Sequence, residues 1–429
     1  MPRSQRDSGH RLVGGEEIID EVPPQGAAPS PAAGWVGVIA IAATAFVIVA
    51  TEFAPTAVLT AVAAEFDVSL GDTGMMTAIP GLVAALTALL AMRIPSSIDR
   101  RIVLAAAGAI TAVANVLVAV APAFAVVLLG RVGAGIALGV FWTVGAATAV
   151  RLVGDERSVR AISIVSGGTS LGLVAGMPAG SLVGPPENWR VVFVAFAVAA
   201  VAVTLVLSAL LPKLSAERNA RSHGAPLSIW RVTSRPVIAW SLAAAFTVFV
   251  GQFASSTFLG AFIGASLVSP ILVTGVLTAF GGVGILGMLV ATFAFGRRPV
   301  VTVCGALALL VAAIGVVAVT STVPSNATLV VVVALLWGTV WGAVPFGLQT
   351  WMLTRATENR ETVSAALVIA IQLGIGTGSA LGSVILRLTE HASAGEPAYT
   401  VIFIVSVAVC LVALTLFALG ARGRRAMQR

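Results

Sequence analysis

Twelve apolar runs dominate this sequence, at 35–62, 73–94, 102–121, 123–148, 160–184, 190–211, 236–263, 270–295, 299–320, 327–351, 363–387 and 398–420. A helix crosses a hydrocarbon core of about 30 Å with about 20 apolar residues, and every run is long enough. Inside that core no water satisfies backbone polar groups, so each run must pair its own N–H and C=O groups as helix. A water-facing globule is excluded. Hydrophobic residues make up 58% of the 429-residue chain and charged residues 10%, against about 25% charged in soluble domains. The expected fold is an all-α polytopic membrane protein.

Basic residues set the expected orientation. With the N-terminus in the cytoplasm, 22 of the 25 basic residues fall in cytoplasmic tails and loops, and two, Arg190 and Arg387, fall on the other side. Arg131 is left inside the fourth run. Both termini are therefore expected in the cytoplasm, with the chain spanning the plasma (inner) membrane many times. The net charge of +7 is broken into short clusters between the spans. That pattern reads as membrane orientation, not as a nucleic-acid footprint. Cys304 and Cys410 stand alone in apolar runs, and the three histidines fall in the tail and loops. No metal site, no cofactor and no enzyme active site is expected, because no nucleophile–base or metal-ligand cluster is present.

The organisation is internally repeated. Residues 1–34 form a polar, Pro- and Gly-rich tail expected to be disordered. A six-span bundle over 35–211, a polar cytoplasmic loop over 212–235, a second bundle over 236–421 and a short tail over 422–429 follow. "DRRIVL" after the second run is echoed by "GRRPVV" after the eighth. Gly172, Gly176 and Gly180 recur 202 residues on as Gly374, Gly378 and Gly382. Two six-helix halves of parallel topology are the expected arrangement, as in transporters built from repeats.

Several stretches carry a resemblance. They are "TEFAPTAVL" in the first span, "LLGRVGAGIALGVFW" in the fourth, "GTSLGLVAGMPAGSLVG" in the fifth with "WRVVF" after it, and "QFASSTFLGAF" in the seventh. Together they resemble the major facilitator superfamily, in particular its twelve-helix drug:proton antiporter and sugar-efflux (arabinose efflux permease-like) branch. The resemblance implies two six-helix bundles, a small-molecule substrate, protons as coupling ion and a monomer in the lipid bilayer. It also implies that Gly172, Gly176, Pro178 and Gly180 form an antiporter motif at the interface between halves, here with Met177 inserted before the proline. The family's loop after the second helix, GxLaDRxGRR, reads "MRIPSSIDRR" here. Ser96 and Ser97 stand at its Asp and Arg positions, Asp99 replaces a glycine, and Arg100 and Arg101 remain.

Glu52 and Arg131 are the only acid and the only base deep in any span. Glu52 lies about 18 Å into the core from the cytoplasmic edge and Arg131 about 20 Å, counting 1.5 Å per residue. Charges at such depth are costly, and they normally face a cavity and mark function. The two either pair directly or share the cavity between the first and fourth helices. A carboxylate that alternates between wet and dry surroundings takes up and releases a proton, so this pair is the candidate for proton coupling. Arg131 as a plain clamp between those helices is the alternative.

Asn115, Trp142, Gln252, Thr257, Trp341, Gln349 and Gln372 are the candidate substrate-cavity residues, with Trp337 a further aromatic in the tenth span. Each is equally able to tie neighbouring helices together. The expected function is export of a sugar, a purine-type compound or a neutral drug such as chloramphenicol, in exchange for protons. Proton-coupled uptake is the alternative within transport, and a non-transporting sensor the alternative outside it.

Overall fold

The computed structural model describes residues 31–94, 98–179, 188–212, 234–267, 269–322, 327–356, 360–392 and 398–427. Its chain is helical, with no strand among the described residues. Among the described residues twelve helices are long and apolar enough to cross a membrane, as the sequence predicts. In chain order they are α1 Pro31–Phe53, α2 Met75–Ala91, α3 Arg100–Ala119, α4 Phe124–Val153, α5 Ser158–Gly176 and α6 Trp189–Leu210. The second half holds α7 Pro236–Ser256, α8 Pro270–Arg297, α9 Pro299–Thr320, α10 Ala327–Arg355, α11 Arg360–Ala392 and α12 Ala398–Met427. Several overrun their apolar stretches, α12 through Met427 and α11 through Ala392. A helix keeps satisfying its own backbone beyond the hydrocarbon, so hydropathy marks the core and not the helix end.

Two spans are broken where the sequence alone reads continuous helix. After Phe53 the chain runs through a 3-10 turn, Ala54–Ala57, into a short helix, Leu59–Phe66. After Ser256 it passes Thr257 and Phe258 into another short helix, Leu259–Ser266. Pro55 and Thr257 are 202 residues apart, the period of the repeat. The helix partners repeat as well. In the first half α1 packs on α5 and α6, α3 on α4 and α6, and α2 on α4; in the second, α7 packs on α11 and α12, α9 on α10 and α12, and α8 on α10.

The halves meet chiefly where α2 crosses α11, and more slightly where α5 meets α8. At the first crossing the backbones touch. A Cβ on Gly81 would lie 2.7 Å from the Gly376 nitrogen, and one on Gly376 would lie 2.6 Å from the Leu82 nitrogen. Small residues allow such approach where no hydrophobic force drives helices together. At the second crossing, a Cβ on Gly281 would sit 3.1 Å from the Val174 Cα, a looser fit. Further contacts lie toward the side away from the termini. Gly260 packs on the Thr56 backbone, Gly74 packs on Ser383 and Phe258, and Arg387 pairs with Asp72 at 3.2 Å. Near the terminal-side ends of α4 and α10, Ala146, Ala147 and Gln349 are exposed.

Candidate functional site

The site begins with two prolines. In an α-helix the N–H of residue i donates to the carbonyl of residue i−4, and proline has no N–H. Pro55 therefore leaves the Thr51 carbonyl without its helical donor, and Pro80, inside α2, does the same to Met76. Both carbonyls lie in a layer where an unpaired polar group costs several kcal/mol. Arg131 of α4 fills both vacancies. Its Nη1 donates to Thr51 O at 2.9 Å and its Nε to Met76 O at 2.7 Å, while its Nη2 donates to Glu52 O at 3.1 Å. Arg131 is 0% exposed. Gly135, one turn further along α4, makes the reach possible: a Cβ there would lie 2.7 Å from Pro80 O, so only a bare backbone lets α4 come this close to α2.

Glu52 is at the break itself and is 5% exposed. The hydrogen bonds from Arg131 run to backbone oxygens of Thr51, Glu52 and Met76 and not to the Glu52 carboxylate. The carboxylate instead accepts from Gln372 Nε2 of α11, across the boundary between halves, at 3.4 Å. The matched depths of Glu52 and Arg131 thus bring them into one site. The arginine is bound to the backbone of α1 and α2, and the carboxylate is left with a single long hydrogen bond from the other half.

Aromatic rings surround the same level. Phe53, next to Glu52, lies 5.9 Å from Phe253 of α7 between ring centroids. Phe249 stacks on Phe253 at 6.0 Å, and Trp341 of α10 meets Phe249 edge-on at 4.9 Å. Sequence reasoning singled out Trp341 and missed the three phenylalanines, because nothing in an apolar run marks which rings face inward.

The other cavity candidates fare differently. Asn115 donates to Thr51 Oγ1 at 3.1 Å and to Thr111 O at 2.9 Å, tying α3 to α1. Gln252 accepts from Trp337 Nε1 at 2.9 Å, tying α7 to α10. Thr257 shares a 2.8 Å hydrogen bond with Ser379 of α11 and donates to the Phe253 carbonyl at 2.6 Å. Each of these ties lies within one half. Trp142 is half-buried against Phe141, and Gln349 is exposed away from this layer. Gln372 alone among the seven hydrogen-bonds to Glu52, across the boundary.

Gly172 and Gly176 of the fifth helix do not face the boundary between halves, where the resemblance puts them. Gly172 packs on the Phe46 carbonyl and Gly176 on the Ala50 carbonyl, both of α1. Gly374, Gly378 and Gly382 pack on Phe246, Val250 and Ala254 of α7. The ladders therefore bind α5 to α1 and α11 to α7 inside each half. The fifth helix reaches the interface by its other face, where Leu173 and Met177 join the apolar cluster of the second half and Val174 meets Gly281. α5 ends at Gly176, and Pro178 lies in the turn that follows. Gly180 lies outside the described residues, as do Ser96 and Ser97. In the loop after α2, Asp99 caps α3 by accepting from the Arg101 backbone at 3.0 Å, beside Arg100 in the first turn.

On the far side, Arg190 donates to Glu65 at 2.6 Å, and Trp189 Nε1 donates to the other carboxylate oxygen at 2.5 Å. Burial pushes the Glu65 carboxyl up, but the hydrogen bonds from Arg190 and Trp189 and the guanidinium charge outweigh it, leaving it below the usual carboxylate range. The two basic residues on this side, Arg190 and Arg387, are each paired with a carboxylate.

A family model described as the Major Facilitator Superfamily matches residues 39–379. This chain belongs to that superfamily. As a facilitator-superfamily transporter it is a multi-pass membrane protein. Its similarity to solved structures extends to a bacterial homolog of the human lysosomal transporter Spinster in an inward-facing, unoccupied conformation, with a TM-score of 0.74 at 18% identity over 92% of this chain and 98% of that one. At that identity the likeness shows the fold. Among curated relatives, the "Transcription regulatory protein OpdE" of Pseudomonas aeruginosa is 32% identical over 398 residues, 92% of this chain and 96% of that protein. The "Purine ribonucleoside efflux pump NepI" of Salmonella paratyphi B is 29% identical over 349 residues, 81% of this chain and 86% of that protein.

Proposed function

We propose that this transporter exports a small organic molecule from the cytoplasm in exchange for protons, by alternating access, with Glu52 as the proton-carrying group. The observation that carries the reading is the unequal bonding of the two buried charges. Arg131 is fastened by three hydrogen bonds to carbonyls that two prolines and a helix break set free. It is a fixed charge. Glu52 has one donor, long and from the opposite half. A carboxylate so poorly satisfied in a membrane interior is costly while ionised, and protonation removes that cost. It is therefore the mobile charge.

The inter-half contacts on the far side support a form closed there and open toward the termini. In the plasma membrane, with both termini in the cytoplasm, that form loads substrate from inside. The aromatic rings beside Glu52 and the absence of any charge deep in the spans of the second half favour a neutral, planar or hydrogen-bonding cargo. The efflux pump named among the relatives acts on purine ribonucleosides, which makes that class the first to try. Protons as coupling ion and a monomeric state are part of the same proposal.

Everted membrane vesicles with a pH-sensitive dye test it. After energisation, a purine nucleoside, arabinose and chloramphenicol are added in turn. The reading expects a substrate-triggered proton leak in the wild type and none in Glu52→Gln. An equal leak in both would defeat the assignment of Glu52. The regulatory name carried by the Pseudomonas relative favours one rival, a sensor that binds without moving its ligand. Ligand binding with no flux of labelled ligand in the same vesicles would establish it.

A further inference from the structure

Gln372 stands where α11 crosses α2. Its carbonyl lies against Gly81, and one turn on, Gly376 packs on Ala78 and Leu82. From this crossing its side-chain amide leaves the second half and donates to Glu52 Oε1. Both side chains are buried, at 3% and 5% exposure. The residue thus touches the boundary with its backbone and the ionisable group with its side chain.

We infer that Gln372 is the positioning residue through which the charge on Glu52 reaches the seam between the halves; this rests on the reading of Glu52 as the proton-carrying group. An ionised carboxylate only accepts hydrogen bonds, so it holds the amide N–H₂ in one orientation. Such a charge-assisted bond is roughly twice as strong as a neutral one. A protonated carboxyl also donates, and the amide then has no single orientation to keep. Protonation therefore loosens the one polar tie between α1 and α11 at mid-depth, and the touching backbones of α2 and α11 beside it are free to part.

The charged group facing Glu52 from the helices packed round it is Arg131 of α4, which the carbonyls hold in either state. The other charged residues described on these helices lie near the ends of their spans: Asp72 before α2, Arg100 and Arg101 opening α3, Arg151 closing α4, Arg160 opening α5, Arg190 opening α6, Arg360 and Glu361 opening α11, and Arg387 and Glu390 near its far end. The Asp72–Arg387 pair is a second tie on the same helix, about 22 Å from Gln372 along α11.

The experiment measures distances between the halves as pH changes. Spin labels replace Val159 in the first turn of α5 and Val301 in the first turn of α9, both exposed and one on each half. The full-length protein is studied in lipid nanodiscs as wild type, Glu52→Gln and Gln372→Met, by pulsed electron spin resonance. The expected result is two distance populations that exchange with pH in the wild type, one fixed population in Glu52→Gln, and a pH response reduced to less than half in Gln372→Met. A merely structural Gln372 would shift the distances equally at every pH. Gln372→Asn, which keeps the amide but falls one methylene short, should lose the response too and serves if the methionine variant does not fold. A Gln372 variant that titrates like the wild type overturns the inference. A Glu52→Gln protein that still responds to pH, or a wild type that does not, overturns the reading of Glu52 on which it rests.

Discussion

The break in α1 and the break in α7 occupy equivalent places in the repeat, and they are built by opposite chemistry. In α1 a proline removes a backbone donor and a buried arginine replaces it from another helix. At the α7 break no proline is present. The hydroxyls of Ser255 and Thr257 bend back to carbonyls three and four residues earlier, at 3.0 and 2.6 Å, a contact that loosens and bends helices without a charge. Where Glu52 stands in α1, the repeat places Ala254 in α7. The far corners repeat the contrast. The first half joins the Leu59–Phe66 helix to α6 by Glu65, Arg190 and Trp189, whereas the second joins the Leu259–Ser266 helix to α12 by Phe262, Tyr399 and Phe403. At these two places the first half is held by charged groups and the second by neutral ones.

The sharpest way to break this comparison is to remove the arginine. Arg131→Leu leaves the Thr51 and Met76 carbonyls buried without donors, at a cost of about 3 kcal/mol or more for the two together. Unfolding of the purified protein in detergent should show that loss. Adding Pro80→Ala restores an N–H to Met76 and should recover about 1–2 kcal/mol in the Arg131→Leu background. Strict additivity of the two substitutions would mean that the arginine does not stand in for the missing backbone donor.

Next in size is the neutral tie between α7 and α10. Gln252→Leu leaves the Trp337 indole N–H without its partner and should cost about 1–2 kcal/mol of stability, with proton coupling intact. Lost substrate binding at unchanged stability would instead make Gln252 a cargo contact. Thr257→Val, at the α7 break, should cost about 1 kcal/mol, well short of Arg131→Leu. A loss as large as that of the arginine would erase the distinction between the two breaks.

Much of this was legible in the chain, for definite reasons. The bilayer forces apolar runs to be helices, so twelve spans and a six-plus-six division follow from hydropathy and from ladders such as Gly172/Gly374. Glu52 and Arg131 stood out because nothing else charged lies so deep. Their relation did not. The carbonyl that holds Arg131 is freed by Pro80, 51 residues away on another helix, and no local pattern joins the two. Gln372 was indistinguishable from Gln252 and Gln349, since an amide in an apolar helix does not reveal whether it ties its own half or crosses to the other. The glycine ladders were seen as faces, but which neighbour a small face receives is set by the bundle and not by the run that bears it.

The smallest expected effect is at the far corner. Glu65 is held below the usual carboxylate range in the folded protein. Its contribution is therefore complete above the unfolded-state pKa and fades as pH falls through the lower, folded-state one. With both partners partly exposed, the pair is worth about 0.5 kcal/mol. Glu65→Gln should lose that much at neutral pH and flatten this part of the acid limb of a stability–pH profile. An unchanged limb would show that the corner is held by Trp189 and its aromatic neighbours alone.

In the proposed mechanism one of the two buried charges comes and goes while the other stays. Infrared difference spectroscopy on the purified protein reads it directly, and without knowing the cargo. As pH is lowered across the stable range, the account predicts the carbonyl stretch of a newly protonated, buried carboxyl in the wild type and no such band in Glu52→Gln. The same band in both proteins, or in neither, would contradict it.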